Sequence, residues 1–188
     1  MIVAQTVVLR SREMTKILEE PSAKRRSEFL DAVKRSRRMH AAWVYPPSTP
    51  EAFSAYLRRL RLETWLGYWV CTERGELAGV INIGEVVRGS FRSAYLGYYA
   101  FVPHNGRGYM KRGLCSVLSE AFSRHRLHRL EANIQPGNAS SRRLVERLGF
   151  RMEGFSPRYL KIGGRWRDHE RWAITAEEWK MRSRRLIL

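Results

Sequence analysis

The chain has 188 residues, of which 35 are Lys or Arg and 18 are Asp or Glu, so its formal net charge at pH 7 is +17. Apolar residues make up 44% of the sequence and include six Trp, eight Tyr and seven Phe, which excludes a disordered basic tail. The length predicts one domain that can bury a core without disulfides or metal. The excess of cations predicts attraction to polyanions such as RNA or phosphorylated cofactors.

Other classes of protein are also excluded by the sequence. No stretch approaches the roughly 18 apolar residues that a membrane span requires, and the first ten residues lack the pattern of a signal peptide. Cys71 and Cys115 lie far apart, so we expect two reduced thiols in a cytoplasmic protein that contacts no membrane. The five histidines have no Cys or carboxylate neighbours at metal-ligand spacing, and no metal site is predicted.

The first part of the chain predicts one strand and two helices. Residues 5–10 are β-branched, which is typical of a strand. Residues 22–39 predict a helix with its apolar residues on one face, and the prolines at 46–47 end helical structure after it. Thr49 can cap a second helix at residues 50–61, which has proline at its first position.

The predicted helix at residues 22–39 is strongly basic. Its cations lie away from the apolar face: Lys24, Arg25, Arg26, Lys34, Arg35, Arg37 and Arg38. Such a helix could lie along a phosphate backbone, or it could present an ordinary solvated face. Both interpretations stay open at this point.

The middle of the chain predicts an antiparallel meander followed by a helix and a strand. Three strands at 65–71, 77–85 and 93–102 are joined by short polar turns. A helix at 108–124 has apolar residues at helical spacing, and residues 129–135 alternate between apolar and polar.

The last part predicts a helix and a hairpin. An amphipathic helix at 138–148 is stopped by Gly149, for which we expect a left-handed backbone. Strands at 158–162 and 165–174 flank Gly163-Gly164, a favoured two-residue turn. Helices on a mainly antiparallel sheet define an α+β domain.

The stretch at 102–111 is the most informative one for function. A strand ends at a proline, and Gly106 and Gly108 open a helix, where exposed amides and the helix dipole form an anion site. Lys111 and Arg112 lie in the first helical turn, where a cation is unfavourable by about 0.3–1 kcal/mol unless an anion binds there. The alternative is an ordinary glycine-rich turn; the pattern is neither a P-loop nor a dinucleotide fingerprint.

Three stretches in combination resemble the GCN5-related N-acetyltransferases (the GNAT superfamily): Leu96-Gly97-Tyr98, Gly106-Arg107-Gly108, and residues 138–150 with the sequence NASSRRLVERLGF. Within the superfamily the chain most resembles the RimJ-type ribosomal-protein-alanine N-acetyltransferases, on the stretches at 86–91, 95–98 and 164–169. The resemblance covers residues 6–179, and residues 180–188 are interpreted as a basic C-terminal tail.

The resemblance implies a GNAT fold and an acyltransferase. The expected fold is α+β, with a central mixed, mostly antiparallel sheet that is splayed between its fourth and fifth strands and flanked by helices. The expected reaction is direct transfer of acetyl from acetyl-CoA to an amine, with no acyl-enzyme and no metal. Pantetheine would lie in the gap of the sheet and pair with Phe101 and Val102 like an added strand.

The resemblance also implies a set of CoA-binding residues: Phe101, Val102, Asn105, Gly106, Arg107, Gly108, Tyr109, Met110, Lys111 and Asn138. The family's Arg/Gln-x-x-Gly-x-Gly/Ala motif begins with Pro103 here, so the usual first side-chain contact is missing. Both glycines are intact, and we expect the backbone cradle to survive with Arg107 or Lys111 supplying charge.

Candidate catalytic residues come from the same resemblance. Ser141 matches a hydroxyl near the CoA sulfur and is the candidate acid, with a polar residue of the first helical turn as the alternative. Asn138 matches a pantetheine contact and can also be a plain N-cap. The candidate base is Glu131, directly or through water, with Glu85 as the weaker candidate and a surface or ion-paired carboxylate as the alternative for both. The amine could also lose its proton before binding.

The acceptor is expected to be the N-terminal amine of a ribosomal protein. Aromatic residues that could line its cleft, or belong to the core, are Trp43, Tyr45, Tyr98 and Tyr99. The basic surface favours an enzyme that works near RNA or the ribosome. The alternatives are acetylation of a small amine or antibiotic, and a non-catalytic RNA-binding ribosome-assembly factor on the same fold.

Overall fold

The computed structural model describes residues 17–187, with side chains through residue 183. It contains a sheet of seven strands: β1 (Leu18–Glu19), β2 (Leu66–Cys71), β3 (Leu77–Val87), β4 (Ser93–Ala100), β5 (Arg129–Ile134), β6 (Arg151–Ile162) and β7 (Arg165–Thr175). Five α-helices accompany the sheet: α1 (Arg26–His40), α2 (Pro50–Arg59), α3 (Tyr109–Ser123), α4 (Ala139–Leu148) and α5 (Ala176–Ile187). The strand predicted at residues 5–10 lies outside the described residues.

The sheet is antiparallel except at one place. Its strand order is β1-β2-β3-β4-β5-β7-β6, and only β4 and β5 run parallel. These two strands pair over three residues, Ser93–Tyr95 against Arg129–Glu131, and then part. The predicted α+β class, with a mixed sheet splayed between its fourth and fifth strands, is therefore confirmed.

Local signals explain most element boundaries. The Thr49 hydroxyl accepts a hydrogen bond of 3.2 Å from the amide of Ala52, and Pro50 occupies the first position of α2, as predicted. Gly149 ends α4 with a φ of 93°, a left-handed conformation that a side chain disfavours. The meander, α3 and β5 fall within a few residues of their predicted bounds.

Two boundaries at the C-terminal end differ from the prediction. β6 begins at Arg151 rather than at residue 158, because it is an edge strand and an edge strand tolerates Pro157. The pairing of β6 with β7 has two register shifts, and at the second, between Ser156 and Leu160, Arg158 has a φ of 49° and its amide donates to Asp168 Oδ1 at 2.7 Å. Most of the segment interpreted as a tail continues α5, which is anchored by buried Trp179.

Each face of the sheet has its own core. One face packs against α3, α4 and α5 through a large aliphatic cluster that includes Leu114, Leu118 and Leu148. The other face packs against α1 and α2 through an aromatic cluster. Phe29 of α1 lies at the centre of that cluster, with ring centroids 4.9–6.0 Å from those of four aromatic neighbours. No helix among residues 17–187 is long and apolar enough to span a membrane.

We expect Phe29→Ala to lower the free energy of unfolding by about 3–5 kcal/mol, because it leaves a cavity among rings that hold α1 on the sheet. Phe91→Ala is the matched control, since Phe91 is 59% exposed and should change stability little. Chemical denaturation of both variants measures the difference, and equal losses would contradict this account of the aromatic core.

Candidate active site

The parting of β4 and β5 opens a cleft of about 630 Å³ through the sheet. Its wall includes Tyr98 of β4 and Ser141 of α4 on the α3/α4 side. On the α1/α2 side it includes Tyr99 of β4, Asn133 of β5 and His169 of β7. One cavity is thus reached from both faces of the sheet, which allows two substrates to approach each other from opposite sides.

The pairing of β4 with β3 decides which backbone groups face the gap. The Phe101 amide donates to Ala78 O at 2.8 Å, so residue 101 and alternate residues before it face β3. Residues 96, 98 and 100 consequently face the gap. The end of this edge is already bound by α1, because His40 Nε2 lies 2.7 Å from Ala100 O and the Val102 amide donates to Ser36 Oγ at 3.0 Å.

The predicted pairing of pantetheine with Phe101 and Val102 does not agree with this arrangement. Both amides have partners within the protein, Phe101 is fully buried, and neither residue lines the cleft. The positions that line it along this edge are Leu96, Tyr98 and Ala100.

The glycine-rich turn forms an open cradle at one end of the cleft. Gly106 and Gly108 have φ values of 75° and 84°, and a Cβ on either glycine would meet nothing within 4 Å. Both glycines line the cleft, and α3 starts at the next residue, Tyr109. An anion above this turn would meet exposed backbone amides and the positive end of α3.

The other predicted CoA-binding residues divide into two groups. Those that line the cleft are Asn105, Tyr109, Met110, Lys111 and Asn138. Arg107 does not line it. Among the described residues, three Lys or Arg side chains line the cleft: Lys111, Arg143 and Arg147.

Two further cations, Arg112 of the first turn of α3 and Arg142 of α4, have carboxylate partners. Arg112 forms an ion pair with Glu73, which also accepts a hydrogen bond of 2.9 Å from the Tyr109 hydroxyl. These bonds lower the pKa of Glu73 to about 2 and tie α3 to the β2–β3 turn. Arg142 lies 3.1 Å from Glu170. The described Lys and Arg residues that line the cleft are therefore Lys111, Arg143 and Arg147.

A pair of hydroxyls spans the gap. Tyr98 Oη lies 2.5 Å from Ser141 Oγ, and the Ser141 amide donates to Asn138 Oδ1 at 3.1 Å. Asn138 is thus the N-cap of α4 and lines the cleft as well. Burial raises the pKa of Tyr98 to about 12, so the phenol keeps its proton at neutral pH.

The two candidate bases lie away from this centre. Glu131 accepts a hydrogen bond of 2.8 Å from Arg129 Nε, at the point where β5 is still paired with β4, and it does not line the cleft. Glu85 is exposed at the irregular end of β3 and also lies outside the lining. No Asp or Glu of the described residues lines the cleft.

The aromatic residues that were predicted to line the acceptor cleft fall into two groups. Trp43, Tyr98 and Tyr99 line the cleft, whereas Tyr45 is 65% exposed and packs against Gly163 of the β6–β7 turn. Sequence reasoning missed the roles of His40, Asn133 and His169 in the wall. A buried histidine in a strand has no periodic signal, and only the alternation of β5 indicated the face of Asn133.

Comparison with known proteins shows the family. Residues 17–151 match the acetyltransferase (GNAT) domain family. The chain belongs to this family. The predicted resemblance is confirmed, and the open cleft, the glycine cradle and the hydroxyl pair are features of a GNAT acetyltransferase domain in this chain.

Individual relatives are consistent with the narrower resemblance. The chain is 41% identical over 104 residues to the ribosomal protein uS5-alanine N-acetyltransferase of Escherichia coli, a match that spans 55% of this chain and about half (54%) of that enzyme. RimJ of Mycobacterium smegmatis in complex with CoA-disulfide is 31% identical, with a TM-score of 0.78 over 86% of this chain and 82% of that chain. A spermidine N-acetyltransferase from Vibrio cholerae in complex with CoA and spermine shares the fold at 18% identity, with a TM-score of 0.74 over 87% of this chain and 96% of that chain.

We expect Gly108→Asp to abolish acetyl-CoA binding, because it adds a carboxylate and a Cβ to the cradle at a position with a φ of 84°. Gly89→Asp is a matched control, since Gly89 has a φ of 72°, equally open surroundings and a place outside the cleft. Calorimetric titration with acetyl-CoA compares the two. Unchanged affinity in Gly108→Asp would remove the phosphate site from this turn.

Proposed function

We propose that this chain transfers the acetyl group of acetyl-CoA to the N-terminal α-amino group of a ribosomal protein. The observation that carries the proposal is the charge of the cleft: three cations and no carboxylate among its described lining residues. Such a lining suits the phosphates of CoA and a neutral amine. The likeness to RimJ proteins supports a ribosomal protein as the acceptor.

The cradle and the gap support a binding path for the donor in this proposal. The pyrophosphate lies over Gly106 and Gly108, with Lys111 beside it. From there pantetheine follows the edge of β4 at Tyr98, which brings the thioester toward Ser141. Asn138 lies along the same path.

Acetylation of a polyamine or of another cationic small molecule is the alternative. The spermidine acetyltransferase shares only the fold at 18% identity. A polycation bound in this cleft would meet Lys111, Arg143 and Arg147 without a compensating carboxylate from the described residues. This repulsion favours a peptide N-terminus, which has one ionisable amine.

The hydroxyl pair acts on the departing thiolate. With a pKa of about 12, Tyr98 is a much weaker acid than a thiol of pKa about 8.5, so full proton transfer to sulfur is uphill by about 5 kcal/mol. We therefore assign hydrogen bonding, not protonation, to Ser141: its hydroxyl donates to the thiolate while Tyr98 donates to Ser141 Oγ. Solvent then protonates the released thiolate.

Ser141→Ala is expected to lower kcat about 10- to 100-fold, because one donor to the developing negative charge is lost. Tyr98→Phe should lower kcat less. If Tyr98 acts through Ser141, the double variant should be no slower than Ser141→Ala alone. Steady-state kinetics of the four proteins tests this, and additive losses would show that the two hydroxyls act independently.

The acceptor is tested by thiol release from acetyl-CoA in the presence of N-terminal peptides of ribosomal proteins, spermidine and a panel of other amines. We expect turnover with one or a few peptides and none with spermidine. Turnover on a single small amine and on no peptide would overturn the proposal. RNA binding with no turnover on any acceptor would favour the non-catalytic alternative.

The C-terminal half of α1 supports a contact with RNA. Lys34, Arg35, Arg37 and Arg38 are exposed, and none of them forms an ion pair among the described residues. The helix ends at His40, which lines the cleft, so this basic patch lies beside the catalytic centre. Four free cations on two helical turns can follow a phosphate backbone.

Replacing these four cations together by Ala should weaken RNA binding and reduce the slope of log K against log salt by up to about 3. The matched control replaces Arg74, Arg92, Arg126 and Lys180, which are exposed cations on other elements. Filter binding to ribosomal RNA at several salt concentrations compares the two variants. Equal losses would mean that only net charge matters.

A further inference from the structure

Three positions on the α1/α2 face of the sheet border the gap opposite the hydroxyl pair. A Cβ on Gly97 of β4 would meet nothing within 4 Å, although Gly97 lies in a regular strand, so this part of the cleft floor is open. Asn133 of β5 has a buried Oδ1 with no hydrogen-bond partner. His169 of β7 is buried, and all three residues line the cleft.

Strand register brings these positions together. Tyr95 pairs with Glu131, so Gly97 and Asn133 are the next residues on the same face of the two strands, where the gap begins. Asn133 pairs with Arg171, and His169 lies two residues along β7 on that face. An unpartnered buried acceptor beside open floor is costly unless a donor binds there.

The hydrogen bonding of His169 leaves one nitrogen available. Nδ1 lies 2.9 Å from Arg167 O, and because a carbonyl only accepts, Nδ1 carries the proton. Nε2 then has a free lone pair, with no hydrogen bond among the described residues. Burial lowers the pKa of His169, so the ring is neutral at pH 7.

The charged and titratable groups around this ring come from two strands. Arg167 and Arg171 flank it on its own face of β7, and Asp168 and the buried Glu170 are its neighbours in sequence on the other face. From β6, the Tyr159 ring contacts it edge-on at 6.2 Å between centroids. Asn133 of β5 and Gln135, just after β5, are uncharged residues of the cleft wall.

We propose that Gly97, Asn133 and His169 form the subsite that receives and deprotonates the acceptor amine; this rests on the proposed function. The amine lies over Gly97, donates one hydrogen bond to Asn133 Oδ1 and gives one proton to His169 Nε2. Its lone pair forms the N–C bond, and the C–S bond breaks with its electron pair going to sulfur. The new amide nitrogen then loses its second proton to solvent, His169 returns the first proton to solvent, and solvent supplies one proton to the thiolate, so one proton is released per transfer.

The subsite selects α-amines over lysine side chains. An imidazole whose pKa is below about 6.5 must deprotonate an α-ammonium of pKa about 7.7–8.0 or a lysine of pKa about 10.4. The difference of about 2.5 units between the two amines is about 300-fold in the neutral fraction. No described carboxylate in the cleft offsets it. A peptide with a blocked N-terminus and a free lysine should therefore be a poor acceptor.

His169→Gln is the first test, because Gln keeps a donor for Arg167 O. We expect kcat to fall about 100-fold with an unchanged Kd for acetyl-CoA. The wild-type rate should fall only below about pH 6.5, as His169 is protonated, whereas the variant's rate should follow the free amine near pH 8. His128→Gln changes a partly exposed histidine that lies 3.2 Å from Glu177 and outside the cleft, and as the matched control it should leave kcat and its pH profile unchanged.

Asn133→Leu and Gly97→Ala test the rest of the subsite with little risk to folding. We expect both to raise the KM for the peptide, Asn133→Leu by about tenfold, without changing the affinity for acetyl-CoA. If the wild type turns over and His169→Gln has unaltered kinetics, the subsite alone is overturned. The same holds if Glu131→Gln, rather than His169→Gln, alters the pH profile. Absence of wild-type turnover on every acceptor would overturn the proposed function and the subsite with it.

Discussion

The early parting of β4 and β5 is the constraint on which the rest of the structure depends. A parallel pair that ends after three residues leaves two strand edges with backbone groups that need partners. At the end of the β4 edge, α1 supplies them through His40 and Ser36, and nearer the start Leu96 and Tyr98 face the cleft. A ligand with amide groups can complete that edge as a strand would. Since the opening passes through the sheet, the hydroxyl pair and the Gly97 floor lie on opposite faces of one cavity.

The helices keep this opening in place. The Phe29 ring holds α1 against the sheet through its contact with Trp69. The last residue of α1, His40, lies edge-on against Tyr99 at 5.4 Å between ring centroids. α3 is tied to the β2–β3 turn by Glu73, which binds both Tyr109 and Arg112. The glycine cradle thus lies between two anchored elements. Binding of CoA therefore requires little ordering of the backbone, which is favourable for affinity.

The sequence predicted the elements well and the site in part, for physical reasons. Periodicity and caps locate helices and strands, and two glycines at the start of α3 locate an anion cradle. Periodicity does not show which of two adjacent residues faces a gap, because this depends on the pairing of β4 with β3. Phe101 faces Ala78, so the positions of β4 that face the gap are Leu96, Tyr98 and Ala100. The alternation of β5 correctly placed Glu131 and Asn133 on one face, but the gap opens between them, so Glu131 stays in an ion pair with Arg129 while Asn133 reaches the cleft.

The positive potential of the cleft links donor binding to acceptor chemistry. Lys111, Arg143 and Arg147 favour the phosphates of CoA, and the same charges disfavour an ammonium group nearby, which lowers the pKa of an amine that enters. In the proposed mechanism they also favour the thiolate that leaves, so a hydrogen bond from Ser141, which Tyr98 supports, suffices where full protonation would be uphill. A carboxylate base in the cleft would weaken both effects. A neutral imidazole would not weaken them, and in the proposed subsite His169 becomes cationic only while it holds the amine's proton, when the thiolate forms on the other side of the gap.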